Sequence, residues 1–332
     1  MFDLYETYRE LAVTFGPSGR EGAVRRLLTD RLAGKFDAID TDVMGNLIVH
    51  KAGPGKKVML CAHMDSVGIV ATFIDENGFI RFAPVGGLFH GDLVNTAVRF
   101  QNGVTGVISI EEKTPFKELT MENLYVDIGA ADAEQAARMV AVGDFAVYAA
   151  APVRQENCII GPFLDNRIGC AALLGAMEQL SNTENDLYFV FTVQEEVGLR
   201  GAQTAANAIA PDYAIAVDVT DTGDTPEKKV KMAVEMGKGP AIKVMDRSVI
   251  CNPQVRQALE TAAQQLGIAA QREIMEFGGT DTGAIQKSGG GVLSGAVSIP
   301  ARYIHSPCEM AAVSDAEQAA RLLAHTVCRV LK

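Results

Sequence analysis

Positive charge is in short supply in this sequence. Lysine and arginine total 30 against 41 aspartate and glutamate residues, a formal net charge of −11 over 332 residues, and no basic stripe runs along the chain. Phosphate backbones and anionic lipid surfaces reward clustered Lys and Arg, so a nucleic-acid partner and a membrane-surface partner are both excluded as expectations. No window approaches the roughly 18 apolar residues that a membrane-spanning helix needs. The start, Met1-Phe2-Asp3-Leu4-Tyr5-Glu6, lacks the basic segment and apolar core of a signal peptide. A soluble, cytoplasmic protein is expected. Cysteine is sparse and scattered: Cys61, Cys158, Cys170, Cys251, Cys308 and Cys328 show no C-x-x-C spacing, which excludes a disulfide framework and a zinc ribbon. Cys61 and Cys170 stand near residues of interest, but neither has the local context of a nucleophile. Internal repeats and low-complexity linkers are also missing. With 48% hydrophobic and 21% charged residues the chain has ample material for a packed core, and its length suggests two domains.

What the sequence does have is acidic and imidazole side chains placed just after apolar runs. Leu187 to Val193 is such a run, and Glu195-Glu196 follows it. Adjacent like charges at the mouth of a buried strand are costly unless a cation draws on them, although a solvated pair in a helix's first turn is an alternative origin. The run Lys57 to Ala62 ends in His63-Met64-Asp65, the run Tyr213 to Val217 ends in Asp218, and Gly291 to Pro300 is followed by Tyr303-Ile304-His305. Asp165 precedes an Ala/Leu-rich helical stretch. In open α/β sheets, residues at the carboxyl ends of strands converge on one crevice however far apart they lie in sequence.

The chain's texture changes along its length. Residues 1 to 34 read as helical, and Asp37 to His50 reads as a hairpin turning at Met44-Gly45-Asn46. Between Gly68 and Gly161, short β-type runs (Ile69 to Ile74, Phe79 to Phe82, Val104 to Ile110, Leu124 to Ile128, Phe145 to Ala149) alternate with glycines, which predicts a small barrel or sandwich. From Asn166 onward helices alternate with strands again. The expected organisation is a discontinuous α/β catalytic domain of residues 1–67 and 162–332, interrupted by a β-rich domain of residues 68–161.

A pair of divalent ions accounts for these residues as ligands: His63, Asp165, Asp218, Glu196 and His305, with Asp165 as the bridging carboxylate. Mixed imidazole and carboxylate ligation suits Zn²⁺, Co²⁺ or Mn²⁺ better than Ca²⁺. Glu195 is then placed to act as general base on an activated water, and Asp65 to orient the His63 imidazole. His50 and His325 read as packing or surface histidines. His90, in a glycine-rich loop, reads as a turn residue within reach of a neighbouring site.

Six stretches carry a family resemblance: Ala62-His63-Met64-Asp65, Leu164-Asp165-Asn166-Arg167, Gln194 to Ala202, Val217-Asp218-Val219-Thr220, Gly279-Thr280-Asp281 and Pro300 to Ser306. In this order, over nearly the whole chain, and with Asp127-Ile128-Gly129-Ala130 in the insertion, the sequence resembles the tetrahedral (TET) aminopeptidases, binuclear metallopeptidases that include glutamyl aminopeptidases and proteins once labelled cellulase M. The resemblance implies a three-layer α/β/α zinc-exopeptidase-like domain with an inserted PDZ-like oligomerisation domain. It implies one metal on His63, Asp165 and Asp218, and another on Asp165, Glu196 and His305, with Glu195 as base. It also implies a dizinc or dicobalt site and a homododecamer built from dimers. The activity implied is removal of N-terminal residues from short peptides. One departure is Ser66, where the family commonly has an acidic residue, and this bears on the charge around the ligands. A binuclear N-acyl-amino-acid deacylase or carboxypeptidase uses the same ligands with a cation, Arg302 or Arg167, for the substrate carboxylate. A non-catalytic scaffold remains a third reading, and a glycosidase is disfavoured because it needs two facing carboxylates and no metal.

Overall fold

The computed structural model describes residues 2–331. The amphipathic start folds as two helices, Leu4–Val13 and Gly22–Leu32, parted at Gly16-Pro17. Asp3 caps the first, its carboxylate accepting a hydrogen bond from the Glu6 amide at 3.0 Å. Leu4, Tyr8, Leu11 and Ala12 recur on one face and are buried. The hairpin pairs Ala38–Thr41 with Leu47–Lys51 and turns through Asp42, which accepts from the amides of Gly45 and Asn46.

The large sheet is built around four parallel strands in the order Asp186–Thr192, Lys57–His63, Tyr213–Thr220 and Leu293–Arg302. The apolar runs of the sequence are these strands. In Lys57–His63, Val58, Leu60 and Ala62 face one core and Met59 and Cys61 another, all at most 1% exposed. Parallel strands covered on both faces need such continuous apolar sequence. One face is covered by Leu4–Val13, Gly22–Leu32, Leu164–Glu178, Pro253–Leu266 and Val313–His325, and the opposite face by Arg200–Ile209. The result is a mixed α/β fold with helices on both sides of a sheet.

The glycine-rich middle closes into a barrel of the strands Gly68–Ile74, Ile80–Val85, Leu124–Asp127, Thr105–Ile110, Ala97–Phe100 and Phe145–Tyr148. Closure leaves no free sheet edge. The barrel has its own core, with Ile69, Ile80, Phe100, Ile108 and Val126 at most 2% exposed. The sequence pattern misses the strand Ala97–Phe100 and the helix Ala133–Met139. The segment 153–161, inside the expected limits of the insertion, pairs elsewhere: Val153–Gln155 lies against Cys158–Gly161, which lies against Glu309–Ala312 of the large sheet. Backbone pairing therefore returns the chain to the large sheet soon after Tyr148 rather than at 161.

Phe189 is fully buried in the strand beside Lys57–His63, while Val43, at the hairpin tip, is fully exposed. Phe189→Ala is expected to destabilise the fold by about 3–5 kcal/mol. Val43→Ala should stay within roughly 0.5 kcal/mol. Urea unfolding followed by circular dichroism measures both, and equal effects would contradict the placement of the core.

Candidate metal centre

The acidic and imidazole residues after the apolar runs converge at the carboxyl edge of the parallel strands. His63 ends its strand, in register with Thr192. Glu195 and Glu196 follow Thr192 in a turn that precedes the helix Arg200–Ile209, so they are not in a helix's first turn. Asp218 is in register with Ser298, and His305 follows the strand Leu293–Arg302. Asp165 opens the segment Leu164–Glu178. It is held in place because Asn166 donates to the Val217 carbonyl at 2.7 Å.

Asp165 stands between two histidines. Its Oδ1 is 3.0 Å from His63 Nε2 and its Oδ2 is 3.2 Å from His305 Nε2. His63 Nε2 is also 3.5 Å from Asp218 Oδ1, and His305 Nε2 is 3.0 Å from Glu196 Oε2. Two groups of potential ligands result, His63–Asp165–Asp218 and Asp165–Glu196–His305, each with its donor atoms within 4.8 Å of one another. Glu195 belongs to neither group, and its Oε2 is 3.9 Å from His63 Nε2. Asp65 lies behind His63, 3.5 Å from Nδ1, and accepts from Ser18 Oγ at 2.6 Å and from the amides of Glu195 and Glu196. One carboxylate thus binds the turn that carries both glutamates and faces the His63 ring, whose Nδ1 has no hydrogen-bond partner.

The electrostatics are those of excess buried negative charge. Burial pushes the Glu195 carboxyl well up; His63 opposes this, and Asp218, Asp281 and Glu196 add to it. Burial likewise raises Glu196 and Asp218, against the pull of His305 and His63 respectively. Burial acts to lower the pKa of His305, but Glu196 and Asp165 outweigh it and carry the imidazole up to about 12. Asp165, despite its burial, is held below the usual carboxylate range by His305 and His63. Two imidazoles cannot balance these carboxylates, and Glu196 Oε1 is buried without a hydrogen-bond partner. The donor set of imidazoles, a shared carboxylate and flanking carboxylates fits borderline divalent cations.

Glu309, Asp281, Gly87 and Tyr148 also belong to this constellation, although the sequence pattern assigns none of them a role. Glu309 accepts from the Asp165 amide at 2.9 Å and from the His305 amide at 2.7 Å, so one buried carboxylate grips the backbone of both. Asp281 accepts from Thr192 Oγ at 2.5 Å, and burial raises its carboxyl to about 7. The Gly279-Thr280-Asp281 motif was the available signal for it. Glu309 carries no local pattern, being one residue of an ordinary strand. The barrel contributes Gly87, whose carbonyl accepts from His305 Nδ1 at 2.6 Å, and Tyr148, whose hydroxyl donates to the His305 carbonyl at 2.8 Å. The first bond requires a proton on Nδ1, so Nε2, which faces Asp165 and Glu196, is the ring nitrogen that would meet a cation.

The remaining histidines and arginines singled out by sequence lie apart from the candidate ligands, whereas the Cys170 thiol donates to the His63 carbonyl at 3.1 Å. His50 stacks on Tyr188 and is 2.6 Å from Asp186, while His325 is 2.7 Å from Gln265 on the far helix. His90 starts the short helix His90–Leu93 and packs against Phe89. Ser66 is buried, its hydroxyl donating to the Val67 carbonyl at 3.2 Å. The Cys170 thiol is buried and pushed up to about 12, as befits an inert side chain. Arg167 is buried and donates to the carbonyls of Leu11 and Gly16, and Arg302 forms a two-pronged ion pair with Asp224. The cluster opens into a cavity of about 680 Å³ that neither arginine lines.

Comparison with known proteins points one way. A sequence profile described as M42 glutamyl aminopeptidase matches residues 45–322. A protein of Acetivibrio thermocellus, named a candidate aminopeptidase, is 48% identical, over 98% of this chain and 99% of its own length. An aminopeptidase structure from the archaeon Desulfurococcus kamchatkensis superposes with a TM-score of 0.94 at 34% identity, covering 98% of this chain and 94% of its own. A TET peptidase of Pyrococcus horikoshii, described as assembling into a tetrahedron or a large octahedral shell, superposes with a TM-score of 0.89 at 31% identity, covering 98% and 100%.

A Cβ added at Gly87 would lie 3.2 Å from His305 Nδ1. Gly87→Ala should therefore tilt the ring and weaken cation binding at the His305 group by about 10–100-fold, leaving the His63 group unchanged. Calorimetric titration with Zn²⁺ reads both. Equal affinities in variant and wild type would show that the barrel does not orient His305.

Proposed function

The chain belongs to the M42 glutamyl aminopeptidase family and is an aminopeptidase, a metal-dependent hydrolase of N-terminal residues from short peptides; on that premise we propose how its residues divide the work. The observation that carries the proposal is the Asp165 carboxylate, one oxygen 3.0 Å from His63 and the other 3.2 Å from His305. His63, Asp165 and Asp218 would hold one divalent ion, and Asp165, Glu196 and His305 a second, with Zn²⁺ or Co²⁺ suited and Mn²⁺ also compatible. Such ions, when bound, polarise a peptide carbonyl and make water acidic near neutral pH. Glu195 accepts the proton of the attacking water and returns it to the departing amine. It is suited to this because it lines the cavity without belonging to either ligand group. Asp65 keeps the Glu195–Glu196 amides in place and would orient the His63 ring that it faces.

The deacylase or carboxypeptidase reading needs a free cation for a substrate carboxylate. Arg167 and Arg302 are both engaged elsewhere. Among the described residues lining the cavity, Lys228 is the sole lysine or arginine, and it is paired with Asp221 at 2.6 Å.

The same proposal includes the assembly and its place in the cell. The barrel is read as a PDZ-like oligomerisation domain on a catalytic domain formed by the flanking segments, with the hairpin 153–161 assigned to the catalytic side. Exposed Phe73, Phe116 and Val142 on the insertion offer apolar contact surface. The Pyrococcus horikoshii relative's shell supports a closed homo-oligomer, a dodecamer assembled from dimers. No described helix is long and apolar enough to cross a membrane, and a cytoplasmic location is proposed.

Three experiments test the proposal. Glu195→Gln should retain two ions per chain by elemental analysis yet lose about 10²–10⁴-fold in kcat. Near-normal turnover would move the base elsewhere, and N-acetylated peptides cleaved as fast as free ones would favour the deacylase. Light scattering should give about twelve times 35.4 kDa, and an active monomer would refute the shell.

A further inference from the structure

The wall of the cavity beyond the ligands bears on which N-terminal residue is accepted, a question that rests on the aminopeptidase reading above. Leu199, Met275, Phe277 and Ile304 supply an apolar surface there. Set into it is one ion pair, Lys228 Nζ to Asp221 Oδ2 at 2.6 Å, with the two side chains only 22% and 23% exposed. Asp221 follows directly on the strand Tyr213–Thr220 that carries Asp218, and its other oxygen accepts from the Thr222 amide at 2.9 Å. The carboxylate is therefore anchored to the strand end, and Lys228 reaches back to it from the following loop.

We propose that this wall receives the side chain of the substrate's N-terminal residue, that it favours an uncharged apolar side chain of leucine or methionine size, and that the Asp221–Lys228 pair excludes charged ones. Each partner cancels the other, so the pair presents no net charge of its own. A lysine side chain entering the pocket competes with Lys228 for Asp221, and a glutamate competes with Asp221 for Lys228. Either exchange leaves a half-buried charge without its partner, which is the kind of penalty that sets specificity. Met275 adds an unbranched, polarisable surface that adapts to aliphatic side chains.

The test is a panel of leucyl, methionyl, lysyl and glutamyl p-nitroanilides, with kcat/KM measured on the metal-loaded, assembled wild-type protein and on two variants. The wild type should favour Leu and Met over Lys and Glu by about tenfold or more. Lys228→Met unpairs Asp221 and should raise the Lys-to-Leu ratio by roughly tenfold; Asp221→Asn unpairs Lys228 and should raise the Glu-to-Leu ratio similarly. The exchanged double variant, Asp221→Lys with Lys228→Asp, should return to the apolar preference. A wild type that prefers Lys or Glu overturns the inference, as does an equal change on all four substrates in both variants. Those failures leave the aminopeptidase reading standing. Failure of the loaded wild type to release N-terminal residues from any anilide or short peptide sinks that reading itself.

Discussion

The Asp165 carboxylate between His63 and His305 is the interaction on which the rest of the centre depends. Its two oxygens make two ligand groups into one site. That position is over-determined: Glu309 holds the Asp165 and His305 amides together, and Asn166 fastens the Asp165 segment to the strand that carries Asp218. Gathering Glu195, Glu196, Asp218 and Asp281 around the same point would drive carboxylates to protonate in the absence of cations, and burial does raise each of them. The proposed pair of ions is the counterweight that this packing requires.

The backbone bears a conformational cost at the same place. Phe163, Gln194, Leu199, Tyr303 and His305 all have φ between 55° and 67°, the left-handed region that non-glycine residues rarely adopt. Each such residue costs on the order of 1 kcal/mol or more, and the cost persists only where surrounding contacts enforce it. At His305 those contacts are identifiable: Glu309 takes its amide and Tyr148 donates to its carbonyl. Strain is concentrated where side chains must leave a strand end and turn back over the crevice.

The barrel has a place in this as well as any part in assembly. Gly87 and Tyr148 come from the insertion, yet both bind His305, a residue of the large domain. At Gly86, φ is +85° and a Cβ would lie 3.3 Å from the Glu196 Cβ, so a glycine is needed for the close approach of that loop. The two parts of the molecule therefore share one centre, and a displacement of the barrel would be felt first at the His305 ring.

The order of apolar runs, the hairpin and the β-rich texture of the middle were legible in the sequence because burial on both faces, turn chemistry and strand alternation are local signals. So were the chemical types of the candidate ligands. The short strand Ala97–Phe100 and the return of 153–161 to the large sheet were not, since both are decided by which edge is available for pairing. The roles of Glu309, Gly87 and Tyr148 were equally invisible: each acts through a hydrogen bond to a backbone or ring atom 144, 218 or 157 residues away, respectively. Sequence by itself determined which elements can form and which side chains can bind a cation, because those depend on local pattern and chemistry. Only the tertiary structure decided what holds the candidate ligands in place and that Lys228 pairs with Asp221, because distance and burial between side chains exist only after the chain has folded.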